Sequence, residues 1–171
     1  MFTALPHGVS APWAARAQAA GAKVVDLSAD FRPGNPAAAP GIPYGLTELA
    51  RDEVRTASVV ANPGCYPTAI LLALAPLVRA GLIAPGATIG VAAASGTTGA
   101  GRAARADLLF SEVSEDYRAY GVGNDHRHVP EMRAILDALG SEGDIVFTPH
   151  LLPVAGGILA TITVPVTEAM A

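Results

Sequence analysis

The sequence predicts an α/β protein with a mixed or antiparallel portion toward its carboxyl end, and three observations lead there. A strand, helix, strand order opens the chain, a third strand runs straight into a Pro-Gly turn at 62–64, and two strands close it with only a short glycine-containing break between them.

"FTALP" reads as the end of a buried strand. "SAPWAARAQAAG" reads as a helix with Ser10 as its N-cap, Pro12 early and Gly21 as its stop, and "KVVDLSAD" as the next strand. Together they form a parallel βαβ unit, of which only a stump of the first strand is expected. Residues 32–45, "RPGNPAAAPGIPYG", carry too much Pro and Gly for a regular element, and "ASVVAN" at 57–62 is again a strand. A helix "PTAILLALA" follows, then a strand "GATIGVAAASG", with a helix expected after its glycine-rich end. "HVPEMRAILDALG" reads as a helix with Pro130 in its first turn, and "DIVFTPHLL" and "GILATITVPV" as two closing strands.

Composition narrows the function. The chain has 171 residues, 51% hydrophobic and 15% charged, which is enough for a real core. Eleven Lys and Arg against 15 Asp and Glu leave a net charge of −4 without a basic cluster, so nucleic acid is not an expected partner. The apolar run at 69–78 falls well short of the ~20 residues of a membrane span. One cysteine forms no internal disulfide and the start lacks a secretory pattern, so a cytoplasmic protein is expected.

Three features carry chemistry. Cys65 follows a strand and precedes a helix, where unpaired N–H groups and the helix dipole favour a thiolate; the alternative is an inert buried thiol. His126 and His128 lie in "NDHRHVPEM", a polar loop ahead of a helix, where one imidazole suits the base a nucleophilic cysteine needs. Solvated polar residues, or zinc ligands with Cys65, are the alternatives, and no second cysteine supports the metal. In "ASGTTGAGRAARADLL", Ser95, Thr97, Thr98 and the glycines suit an anion cradle, although such turns also occur without a ligand.

In order along the chain, "LPHG" (5–8), "SADFR" (28–32), "PYGLTEL" (43–49), "NPGCYPTA" (62–69), "SGTTGAGR" (95–102), "HRHVPEM" (126–132) and "GILATI" (157–162) resemble the N-acetyl-gamma-glutamyl-phosphate reductase family. The resemblance implies NADPH-dependent reduction of an acyl phosphate to an aldehyde through a thioester on Cys65. It implies His126 as the catalytic histidine, and Arg32, His128 and Glu131 as substrate-binding residues. Pro6, His7, Ser95, Gly96 and Gly99 are expected on the NADP cofactor. The bland reading of Arg32 is a loop arginine that caps or pairs with Asp30. By this resemblance, residues 1–63 are the C-terminal part of a Rossmann-like NADP-binding domain. Residues 64–171 are an α+β catalytic and substrate domain, truncated at its end, and a homo-oligomer is expected.

The family's glycine-rich nucleotide turn is not found in this sequence, and Gly156 stands where an arginine commonly precedes the Gly-Ile pair. A fragment is therefore expected, without tight NADPH binding of its own, and an inactive folded or associating module is the alternative function. An aminoadipyl-phosphate reductase of lysine biosynthesis shares the architecture, and a cofactor-free Cys-His hydrolase is a further reading.

Overall fold

A computed structural model describes residues 1–36, 38–101 and 103–167. Its elements run β1 (Phe2–Thr3), α1 (Ser10–Ala19), β2 (Val24–Asp26), α2 (Thr47–Thr56), β3 (Val59–Ala61), α3 (Cys65–Arg79), β4 (Ile89–Gly96), α4 (Phe110–Val113), β5 (Arg118–Ala119), α5 (Val129–Ala138), β6 (Ile145–Leu152) and β7 (Ile158–Thr163). Two sheets result.

The first sheet is parallel, in the order β1-β2-β3, with α1 as the crossover between β1 and β2. Its core is small: Ala14 and Ala17 of α1 pack with Val24, Phe31, Val59 and Ala61. Ser10 is not the N-cap expected of it. It is already helical, Val9 precedes it without a side-chain cap, and the Ser10 hydroxyl has no partner among the described residues. The carboxylate of Asp30 does the capping instead, accepting the Gly8 and Ser10 N–H groups at 2.5 and 2.7 Å. A cap supplied from 20 residues away is invisible to a local pattern.

Within the Pro/Gly segment, Tyr44 runs beside β3 as a single bridge to Ala61, with Gly45 N–H on the Ala61 carbonyl at 2.8 Å. The α2 helix was not expected. It kinks at Ala50 (φ −137°, ψ 37°) and none of its residues is fully buried; Leu49 packs half-buried against the core.

The second sheet is mixed, in the order β5-β6-β4-β7: β4 pairs with β6 parallel and with β7 antiparallel. That agrees with the fold class read from the sequence. One face packs on α3 and α5, burying Ile70, Leu71 and Leu74 with Ile89, Met132, Leu136, Ile145 and Phe147. Each such side chain contributes about 1.5–3 kcal/mol when fully buried. The helix expected after β4 is replaced by two short 3-10 turns, Thr97–Ala100 and Ala106–Leu108. Gly101 between them sits at φ +88°, a left-handed conformation that ends helical geometry. Arg102, the last residue of the "SGTTGAGR" motif, lies outside the described residues.

Candidate active site

The α3 helix starts at Cys65, two residues earlier than its apolar pattern suggests, because Pro67 fits a helix's first turn and Gly64 (φ −65°, ψ 155°) makes the bend out of β3. Cys65 is exposed, at the amino end of a helix of 15 residues. Its side chain borders a cavity of about 280 Å³ that His126 and His128 also line. Ser95, Gly96 and Gly99 form another part of the wall, at the end of β4. Six residues singled out from the sequence thus meet around one cavity.

The two histidines differ. His126 is half-buried, and its Nδ1 accepts the His128 backbone N–H at 3.2 Å, which places the proton of the neutral ring on Nε2. Burial and the Arg127 guanidinium lower its pKa. His128 is 3% exposed and is pushed down to about 3, first by burial and then by His126 and Arg127, so it is neutral at pH 7. Its Nδ1 has no hydrogen-bond partner among the described residues. The rings stand 4.8 Å apart at 68°, and Tyr66 and Phe147 pack edge-on against His126.

Arg32 and Glu131 are not brought to the cavity. They are 6% and 3% exposed and face each other behind the cysteine turn, Nη1 to Oε2 at 3.5 Å. Arg32 also donates to the carbonyls of Asn62 (2.8 Å) and Leu27 (2.9 Å). Substrate contact, expected of both from the sequence, gives way to this network: their polar atoms are engaged inside the protein. The alternative pairing of Arg32 with Asp30 is not formed either, since Asp30 is occupied by the α1 amino terminus.

Pro6 and His7 are exposed. His7 Nδ1 accepts the Ala29 N–H at 2.9 Å, and its Nε2 lies 2.5 Å from Arg127 Nη1, so His7 meets the cavity rim through Arg127, while Pro6 is not part of the lining.

Sequence reasoning missed Arg105, Arg118 and Tyr120, which also line the cavity. Tyr120 shares a 2.9 Å hydroxyl contact with Tyr66, and burial raises the pKa of both. Arg105 is paired with Asp107 at 2.6 Å and Arg118 with Asp116 at 2.9 Å. With Arg127, three guanidiniums and one carboxylate, Asp107, line the cavity that holds the thiol: an environment for anions. No periodic pattern marks these residues, which lie in turns and a two-residue strand. Among the described residues no group of three or more His, Cys, Asp or Glu side chains is placed to hold a metal ion, and no helix is long and apolar enough to cross a membrane.

The dimerisation domain of the semialdehyde dehydrogenase family matches residues 65–171, and its NAD binding domain matches residues 1–57. N-acetyl-gamma-glutamyl-phosphate reductase of Geobacter sp. (strain M21) is 48% identical over 176 residues, covering 95% of this chain and 51% of that protein. The enzyme of the same name from Moorella thermoacetica is 48% identical over 94% of this chain and 50% of its own length. The chain spans about half the length of the curated relatives it matches.

Among solved structures, aspartate semialdehyde dehydrogenase II of Vibrio cholerae, complexed with ASA, superposes with a TM-score of 0.72 at 19% identity, over 96% of this chain and 55% of that one. Aspartate semialdehyde dehydrogenase with NADP from Candida albicans gives 0.63 at 15% identity, over 95% and 49%. These two show the fold. On the family match, which covers more than half of its residues, the chain belongs to the semialdehyde dehydrogenase family.

Proposed function

We propose that this chain forms the catalytic centre of an NADPH-dependent reductase that converts N-acetyl-gamma-glutamyl phosphate to the semialdehyde in arginine biosynthesis. One observation carries the reading: a single exposed thiol at a helix amino terminus, in a cavity shared with His126 and three arginines. The 44–48% identity to reductases of that name supports this substrate over its aminoadipyl analogue.

Cys65 attacks the acyl carbon as thiolate, phosphate leaves, and an acyl thioester remains. Arg105, Arg118 and Arg127 offer guanidiniums to the phosphate and the distal carboxylate. The Cys65 and Tyr66 N–H groups, in the first turn of α3, have no helical acceptor and suit the oxyanion. His126, with its proton on Nε2, is placed to donate a hydrogen bond to the developing oxygen, and in its imidazolium form it is the acid that protonates that oxygen, the neutral ring taking the proton back as the aldehyde is released.

The residues present fit the nicotinamide end of the cofactor. Gly96, Gly99 and Ala100 line the cavity together with Cys65, and His7 reaches its rim through Arg127. NADPH bound there supplies hydride to the acyl carbon. The α1 amino terminus does not take a phosphate, because Asp30 already fills it.

The unit boundary is placed at 63/64, between a cofactor-binding part and a catalytic part. A second copy of the protein is placed on the open face of the second sheet, where Val146 and Leu159 are 48% and 70% exposed, within the stretch that matches the family's dimerisation domain. The test is Cys65→Ser in the full-length protein, followed by NADPH oxidation with the acyl phosphate: turnover should vanish, and near-normal turnover would end this reading.

A further inference from the structure

Six groups converge behind the cysteine turn, and they explain what the buried charges do. The Gly64 N–H donates to Glu131 Oε1 at 2.8 Å, and the Tyr44 hydroxyl donates to the same oxygen at 2.7 Å. Arg32 stands 3.5 Å from Oε2 and ties the Asn62 and Leu27 carbonyls to the same point. One carboxylate on α5 therefore gathers the chain on both sides of β3 and the residue immediately before Cys65.

We infer that Glu131 is a positioning residue for the reaction: it acts through Gly64, setting where the amino terminus of α3, and with it Cys65, opens into the cavity. This rests on Cys65 being the nucleophile. Three observations support it.

Glu131 does not line the cavity, so it acts on substrate only through other residues, and its hydrogen bond to the site is the one to the Gly64 N–H. Burying an ion pair is a poor way to gain stability, so a fixed geometry is the better account of this one. Finally, the turn has no slack. A side chain on Gly64 would begin 2.7 Å from His128 Nε2 and 3.0 Å from Glu131 Oε2, so the peptide is seated directly against both. Because Pro67 carries no N–H, the start of α3 offers only the N–H groups of Gly64, Cys65 and Tyr66; Glu131 occupies the first and leaves two for an anion.

The test compares Glu131→Gln with Glu131→Ala. Both remove the charge and leave Arg32 unpaired alike, but only Gln keeps an oxygen for the Gly64 N–H and the Tyr44 hydroxyl. Iodoacetamide alkylation of the chain's single cysteine at pH 7 should be roughly fivefold slower in Glu131→Ala than in Glu131→Gln, the scale of a misaligned helix terminus. Exchange of the Gly64 amide hydrogen, read by NMR, should be about tenfold faster in Glu131→Ala, as for a lost hydrogen bond.

Tyr44→Phe removes a different bond to the same oxygen and should alkylate like wild type. Glu131→Asp covers the case in which Glu131→Ala does not fold: it keeps the charge, withdraws the acceptor and should also be slow. Equal alkylation in the Gln and Ala variants, wild-type alkylation in Glu131→Asp, or slowing in Tyr44→Phe as large as in Glu131→Ala overturns the inference. Failure of the nucleophile reading shows separately, as turnover retained by Cys65→Ser.

Discussion

Adding one methyl group at Gly64 should destabilise this protein through the turn that carries Cys65. The Gly64 φ of −65° is open to any residue, so strain in the backbone is not the reason. Contact is: the new carbon would lie 2.7 Å from His128 Nε2, 2.9 Å from His128 Cδ2 and 3.0 Å from Glu131 Oε2. Neither neighbour has room to retreat, since both are 3% exposed and Glu131 is held by Tyr44 and Arg32. Overpacking of this kind costs roughly 1–3 kcal/mol. At about 2–4 °C per kcal/mol for a chain of this size, Gly64→Ala should lower Tm by roughly 2–12 °C in a circular-dichroism melt. The control is Gly90→Ala in β4, where the nearest atom would be Thr163 O at 3.6 Å, an ordinary contact; its Tm should move far less. If Gly64→Ala melts with wild type, the cysteine turn is not seated as described, and the case for Glu131 weakens with it.

Further outcomes follow from the same geometry. His126→Ala in the full-length enzyme should lower turnover by roughly two to four orders of magnitude, measured as NADPH oxidation, whereas a larger loss in His128→Ala would reverse the roles of the two rings. His128 binds its proton far less readily folded than the ordinary value of 6.5 allows, so the unfolded chain takes up protons first on acidification. Stability should therefore fall as pH drops from about 6.5 toward about 3, at up to ~1.4 kcal/mol per pH unit from this group, and His128→Asn should flatten that slope in urea titrations. At Asp30 burial pushes the carboxyl up, but the Gly8 and Ser10 N–H groups outweigh it and hold the pKa below the usual value; stability from it is lost as pH falls through that lowered range, and Asp30→Ala should cost roughly 1–2 kcal/mol by denaturant unfolding. Arg118→Ala, removing a half-buried guanidinium from the cavity wall, should raise KM for the acyl phosphate roughly tenfold in steady-state assays, and an unchanged KM would remove Arg118 from anion binding.

Sequence alone was enough for the α/β class, the opening βαβ order and the mixed closing sheet, because apolar periodicity and Gly/Pro punctuation are local signals that burial on one face enforces. It was also enough to single out Cys65, His126 and His128, since a thiol at a strand-to-helix turn and imidazoles ahead of a helix are informative as residue types. Tertiary structure decided the rest. Whether Arg32 and Glu131 face substrate or one another depends on how α5 packs against α3, and Glu131 meets Gly64 from 67 residues away. The cap of α1 comes from Asp30 in a later loop, and Arg105, Arg118 and Tyr120 reach the cavity from turns whose paths obey no period. Chain composition reports which groups are available for such contacts, but partners distant in sequence meet only through the packing of whole elements, and that packing is a property of the folded chain rather than of any local stretch.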